Sequence, residues 1–239
     1  MISPKFKIYK NTDELVGSFS AYFNSLILKK TGLFSVALSG GSTPKAWFDH
    51  LASHHKNDIP WHNVHFYWGD ERCVPPDHAE SNYGMAKKHL LDHLPIPKDN
   101  IHRIEGELPP QESAEKYASL LENELPVAAC PVFDLVILGM GDDGHTASIF
   151  PHEISLWHAP AYCVVASHPQ SGQQRVSISG QIINAARAVA FLVTGENKAQ
   201  KIEEIFHKKP QAERYPAFLV APEHEPPIWF LDQAAAKSI

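Results

Sequence analysis

Phe133-Asp134-Leu135-Val136-Ile137-Leu138-Gly139-Met140-Gly141-Asp142-Asp143-Gly144, followed by His145-Thr146-Ala147-Ser148-Ile149-Phe150, sets an apolar run against a glycine-rich turn. The run is short, apolar and closed by glycine, so it reads as a buried strand. Its continuation fits the G-x-G-x-x-G spacing of a dinucleotide loop. Such a loop needs a sustained helix facing the pyrophosphate and an acid roughly 20 positions on. Here Pro151 holds any following helix to about two turns. Asp142 and Asp143 repel a pyrophosphate, and no acid occurs from Ile154 to His168. The dinucleotide reading fails. What remains is a turn presenting Asp143 and His145 at the tip of a strand, where an imidazole suits a general base that activates water. The start of a short helix disfavours the imidazolium and the adjacent carboxylate favours it, so the two influences oppose each other. A satisfied structural histidine is the plain alternative.

Outward from this stretch, further short runs rich in β-branched or aromatic residues occur at Phe34 to Leu38, Val64 to Trp68, Tyr162 to Ala166, Val189 to Thr194, Phe218 to Val220 and Ile228 to Leu231. Longer amphipathic stretches alternate with them: Thr12 to Lys30, Pro44 to Ser53, Asn82 to His93, Gln111 to Glu124 and Lys198 to His207. This alternation predicts an α/β protein with a mostly parallel central sheet covered by helices. Leu15, Phe19, Tyr22, Phe23 and Leu26 recur at helical spacing and are expected in the core. No composition shift divides the 239 residues, so a single domain over 1–239 is expected. In such sheets ligands sit beyond the carboxyl ends of the strands.

Two other loops belong to that edge. Ser39-Gly40-Gly41-Ser42-Thr43-Pro44 lets the backbone turn tightly, offers Ser42 or Thr43 as a helix cap, and puts Pro44 at the first helical position. A helix start of this kind suits an anion such as phosphate, and an ordinary tight turn suits the residues equally. Gly69-Asp70-Glu71-Arg72-Cys73-Val74-Pro75 places three charges at a strand end. That is a solvated turn unless Arg72 grips a phosphate with its guanidinium.

Composition narrows the function. The net charge of −6 carries no basic tract, which gives nucleic acid no reason to bind. An anionic ligand needs a local cationic pocket. No run approaches the roughly 18 apolar residues of a membrane span, and MISPKFKIYK lacks the apolar segment of a secretory signal, so a cytoplasmic location is expected. Cys73, Cys130 and Cys163 are isolated thiols. Among the 15 histidines, His89 and His93 lie four apart and read as a helix face rather than a metal site. His54 and His55 read as surface.

The three loops SGGSTP, GDERCVPPDHAESNYGM and FDLVILGMGDDGHTASIFP, in this order, resemble the 6-phosphogluconolactonases, relatives of the glucosamine-6-phosphate deaminases, over essentially the whole chain. The resemblance implies a Rossmann-like domain with helices on both faces, and neither cofactor nor catalytic metal. It also implies hydrolysis of 6-phospho-D-glucono-1,5-lactone to 6-phosphogluconate, in the oxidative pentose phosphate pathway. His145 matches the family's catalytic histidine, and Asp143 would orient or tune it. Gly40, Gly41, Ser42, Thr43, Arg72, Arg175 in QQRVSIS and Lys198 in GENKA would hold the phosphate, and Asn82 would lie near the sugar. The expected partner is thus a phosphorylated sugar lactone, taken by a monomer. A deaminase is the nearest rival. It shares the Gly-Asp-Gly-His turn and an acid equivalent to Asp70, but its H-I-A-F-N-E motif carries a glutamate where this chain has Phe150, and tyrosine is usual at Arg72. A catalytically silent sugar-phosphate sensor is the other rival.

Overall fold

The computed structural model describes residues 5–239; the first four positions of the MISPKFKIYK start lie outside them. From the amino end the elements are β1 (Lys5–Tyr9), α1 (Thr12–Lys29), β2 (Phe34–Leu38), α2 (Ser42–His54), β3 (Val64–Trp68), β4 (Asp70–Arg72) and α3 (Asn82–Ala86). Then follow α4 (Pro110–Glu124), β5 (Leu135–Leu138), β6 (Cys163–Ser167), β7 (Gln174–Ile178), α5 (Gly180–Ala185), β8 (Val189–Val193), α6 (Ala199–Phe206) and β9 (Ile228–Asp232).

Six strands form one sheet in the order β1-β9-β8-β5-β2-β3, and every pairing in it is parallel. Every residue of β2, β5 and β8 is buried, as a sheet covered on both faces requires. Strand β9 shows the two faces. Successive side chains point oppositely, so Trp229 and Phe230 lie on different sides. Phe230 meets Phe19 of α1 at 5.1 Å between ring centroids, and Trp229 meets Phe206 of α6 at 5.4 Å. At β9, α1 therefore covers one face and α6 the other.

Helix α1 follows from its sequence. Asn11 caps it by accepting from the Glu14 N–H, Asp13 and Glu14 sit in its first turn, and Leu15, Phe19 and Phe23 form the buried stripe. Phe19 and Phe23 both pack edge-on against the buried Trp47 of α2. Truncating either ring removes about 3–5 kcal/mol.

The chain runs from β2 outward to β3 on one side, and from β5 outward through β8 and β9 on the other. The adjacent carboxyl ends of β2 and β5 thus form the topological switch point. Beyond that edge lies a second, antiparallel sheet, β4-β7-β6, which the sequence patterning did not predict. It sets Asp70 opposite Ser177 and Arg72 opposite Arg175.

Several expectations need correction. Phe218 to Val220 is not a strand: Pro216–Leu219 forms a 3-10 turn, to which proline's fixed φ is suited. The Asn82 to His93 helix is α-helical only through Ala86 and then widens into a π-turn at Lys87–Leu91. No helix starts at Gly144 to Phe150. Gly144 (φ +86°) and Ala147 (φ +47°) both adopt the left-handed region within four residues, which prevents a right-handed helix. The expected helix-dipole influence on His145 is therefore missing. At α2 neither Ser42 nor Thr43 caps. Gly41 (φ +105°) does so without a side-chain bond, and Pro44 is the third helical residue.

Candidate active site

The loops after β2, β3, β5 and β8 converge on a cavity of about 240 Å³. Ser39, Gly40 and Gly41 line it from the first loop, Asp70, Arg72 and Asn82 from the β4–α3 segment, and Gly139, Met140, Gly141, His145 and Ala147 from the third. Arg175 of β7 and Lys198, just before α6, close the wall. Ser42 and Thr43 do not line this cavity. Ser42 is exposed, and the Thr43 hydroxyl is hydrogen bonded to Thr194 at 2.7 Å.

His145 is held by its own turn. Gly141 N–H donates to the His145 carbonyl at 2.9 Å, and the Thr146 hydroxyl donates to the Gly139 carbonyl at 2.7 Å. Nδ1–H of the ring donates to Asp143 Oδ1 at 2.6 Å, and that same oxygen accepts from the His145 backbone N–H at 3.0 Å. With Nδ1 so committed, Nε2 is the nitrogen that can exchange a proton with a ligand or water. Partial burial pushes the Asp143 carboxyl up, but the hydrogen bond and charge of His145 outweigh it and hold it down at about 2. Glycine is required at 141, because a Cβ there would sit 2.1 Å from His145 Nδ1 and 2.7 Å from Asp143 Oδ1.

The cations come from three places. Arg72 and Arg175 face each other across β4 and β7, and the buried Nε of each makes no hydrogen bond among the described residues. Arg72 Nη1–H donates to the Glu80 carbonyl at 2.5 Å. Burial, and then the charge of Arg72, lowers Arg175 from the ordinary arginine value. Two like charges with spare buried donors are arranged for an anion and not for each other. Lys198 is joined to Asp142, whose carboxyl that contact lowers. His168 also stands in this field: slight burial lowers it first, then Arg175 and His145.

The DER triplet is not a solvated turn. Asp70 and Glu71 are buried. Asp70 accepts from the Ser148 hydroxyl at 2.5 Å, and its carbonyl accepts from Asn82 Nδ2 at 2.9 Å. Glu71 receives the N–H groups of Arg72, Asn82 and Tyr83 and the Ser81 hydroxyl, and burial still leaves its carboxyl raised. It thereby fixes the start of α3 and Asn82. Gly40 must be glycine, since a Cβ would overlap Asn82 Oδ1. Of these, Asp70 lines the cavity and was left out by sequence reasoning, with Glu71 and Ser148 buried behind it; the charge triplet at a strand end was the signal for the two acids. Phe150, fully buried, packs on His145 at 4.7 Å and carries the Arg175 guanidinium over its ring at 5.6 Å.

The remaining histidines go elsewhere. His89 pairs with Asp49, His93 meets the Lys88 carbonyl, and among the described residues no three His, Cys, Asp or Glu side chains gather as a metal site. Among them, too, no helix is long and apolar enough to cross a membrane.

Fold and site together define an α/β protein whose functional groups meet at the carboxyl edge of a parallel sheet. The chain belongs to the family described as glucosamine-6-phosphate isomerases/6-phosphogluconolactonase, which matches residues 10–229. A 6-phosphogluconolactonase of Haemophilus influenzae is 44% identical over 203 residues, which is 84% of this chain and 86% of that protein. The solved 6-phosphogluconolactonase of Trypanosoma brucei superposes with a TM-score of 0.88 at 30% identity, covering 100% of both chains. A monomeric glucosamine-6-phosphate deaminase shares the fold (TM-score 0.83, 17% identity, 98% of this chain and 100% of that one).

Proposed function

We infer that this chain hydrolyses 6-phospho-D-glucono-1,5-lactone to 6-phosphogluconate. The observation that carries the reading is the single cavity in which the Asp143-backed imidazole of His145 faces Arg72, Arg175 and Lys198. The cations seat the phosphate, which places the lactone carbonyl beside a water molecule at Nε2 and uses remote binding to orient the reacting centre. His145 takes the water proton as hydroxide adds to the carbonyl carbon. The Asp143 carboxylate, ionised across the working range, stabilises the imidazolium. Backbone N–H groups around Gly40 and Gly41, which line the cavity, or one of its cationic side chains would serve the developing oxyanion. When the tetrahedral intermediate collapses, the ester bond breaks and His145 returns its proton to the departing ring oxygen.

Phe150 favours this reading over deamination, because the position beside His145 holds a buried ring and no carboxylate to move a second proton. The proposed steps draw all their groups from this one domain and call on no cofactor or metal, and we propose that it acts as a monomer. The three free thiols suit a reducing cytoplasm. Hydrolysis of the phosphorylated lactone, corrected for spontaneous opening, is the test. We expect kcat/KM to exceed that for unphosphorylated gluconolactone by about 100-fold or more, the worth of one or two charge-assisted bonds. Equal values, or no hydrolysis of either lactone, would remove the proposal.

A further inference from the structure

The geometry points to Tyr215 as a positioning residue for the His145 turn, acting from outside the cavity. Gly144 lies directly between Asp143 and His145, and its far side rests on the Tyr215 ring: a Cβ at 144 would come within 2.6–2.9 Å of Tyr215 Cγ, Cβ and Cδ1. The Ala217 N–H donates to the Gly144 carbonyl at 3.1 Å, so the segment carrying Tyr215 also grips the turn through its backbone. The ring in turn is fixed by charge. Its hydroxyl donates to Glu204 Oε2 at 2.6 Å and accepts from Lys201 Nζ at 2.7 Å, while Lys201 and Glu204 pair at 3.1 Å. Tyr215 and Glu204 are both buried.

Lys201 and Glu204 both belong to α6, the helix that starts one residue after Lys198. The turn is therefore tied to α6 twice. One tie is Asp142 to Lys198 and Asn197, with the Asp142 side chain two-thirds exposed; the other is the buried Gly144–Tyr215–Glu204 stack. The inference rests on the hydrolase reading above. A phosphate arriving at Lys198 competes with Asp142 for the ammonium and loosens the first tie at the moment the imidazole must hold its place. The second tie involves no ligand-binding group, so it keeps the turn registered through that exchange. A loose turn costs rate but not affinity, because the phosphate seat at Arg72 and Arg175 stands on β4 and β7 and not on the turn.

The experiment compares Tyr215→Phe, which keeps the ring and loses both hydroxyl bonds, with Tyr215→Leu, which loses the support under Gly144. Binding-competent sites per chain are counted by calorimetric titration with 6-phosphogluconate, and kcat is expressed per competent site. We expect kcat per site to fall about threefold in the phenylalanine variant and about tenfold to 100-fold in the leucine variant, with KM within about twofold, as misplacement near the ångström scale produces. The His145 imidazole resonances, followed by NMR through a pH titration, should broaden or move in the same order. If the leucine variant fails to fold, the phenylalanine variant decides alone. Wild-type kcat per site, or a loss of kcat matched by the loss of sites, would overturn the proposal. If the wild type binds 6-phosphogluconate but hydrolyses no lactone, the functional reading falls, and the His145 resonances alone decide the clamp: movement in Tyr215→Phe supports it and unchanged resonances reject it.

Discussion

The two ends of the parallel sheet both gather opposite charges, and they treat them differently. At the amino end of β5, Asp134 accepts from Lys30 Nζ at 2.6 Å, lies 3.3 Å from Arg187 Nε, and accepts the Ser35 N–H at 3.0 Å and the Ser35 hydroxyl at 3.3 Å. Both its oxygens are used. At the carboxyl end Arg72 and Arg175 are set against each other with buried Nε donors that nothing among the described residues accepts. The first cluster clasps β2 to β5. The second keeps its binding capacity for something else, and its conflict of like charges would be relieved by the phosphate proposed above. Saturation of partners, rather than the presence of charge, separates a structural cluster from a site.

The comparison breaks most visibly at the arginines. Arg72→Ala combined with Arg175→Ala should raise KM for the phosphorylated lactone by about 100-fold or more, since each charged hydrogen-bond donor contributes about 1.5–3 kcal/mol. Hydrolysis of unphosphorylated gluconolactone should change little. If both substrates suffer alike, the arginines are not the phosphate seat. Asp134→Ala should do the opposite. It leaves the buried Ser35 N–H without its acceptor and should lower unfolding stability by about 1–3 kcal/mol in urea titrations, leaving kcat of the folded protein unchanged. Arg175→Ala, by contrast, should keep or slightly raise the melting temperature.

Gly141→Ala sharpens the contrast within the site itself. A methyl that meets both His145 Nδ1 and Asp143 Oδ1 must displace one of them, so kcat should fall about 10- to 100-fold while 6-phosphogluconate still binds. The smallest expected effect is on acid stability. Burial alone would raise Glu204, but Tyr215 and Lys201 hold it at about 2 instead of its ordinary 4.5. A depressed carboxyl stabilises the fold fully above pH 4.5, and that contribution disappears as pH falls toward 2. In Glu204→Gln the urea midpoint should therefore fall less between pH 5 and pH 3 than in the wild type.

Much of this was legible in the sequence. Strands β2 and β3 have the bounds their apolar runs predict, since a fully buried strand leaves a continuous signature. The glycine-rich turn and the placing of Asp143 and His145 together at its tip also followed from local chemistry. What stayed hidden depends on distant partners. β5 starts at Leu135 rather than Phe133, with Asp134 spent on the clasp. The antiparallel sheet escaped because Asp70–Arg72 and Gln174–Ile178 are short and carry polar residues, so no period marks them. Hence Arg175 was reachable only through the family resemblance, and its opposition to Arg72 through neither. Phe218 went astray because a three-residue apolar run has no period of its own. Tyr215 gave no signal, because its role requires Gly144 beneath it.

The most direct test is the hydrolysis rate of His145→Ala, measured beside its affinity for 6-phosphogluconate. With His145 as the base, kcat should fall about 10²–10⁴-fold, the usual worth of a general base, with product affinity within about threefold of wild type. A variant that hydrolyses the lactone at nearly the wild-type rate would contradict that role.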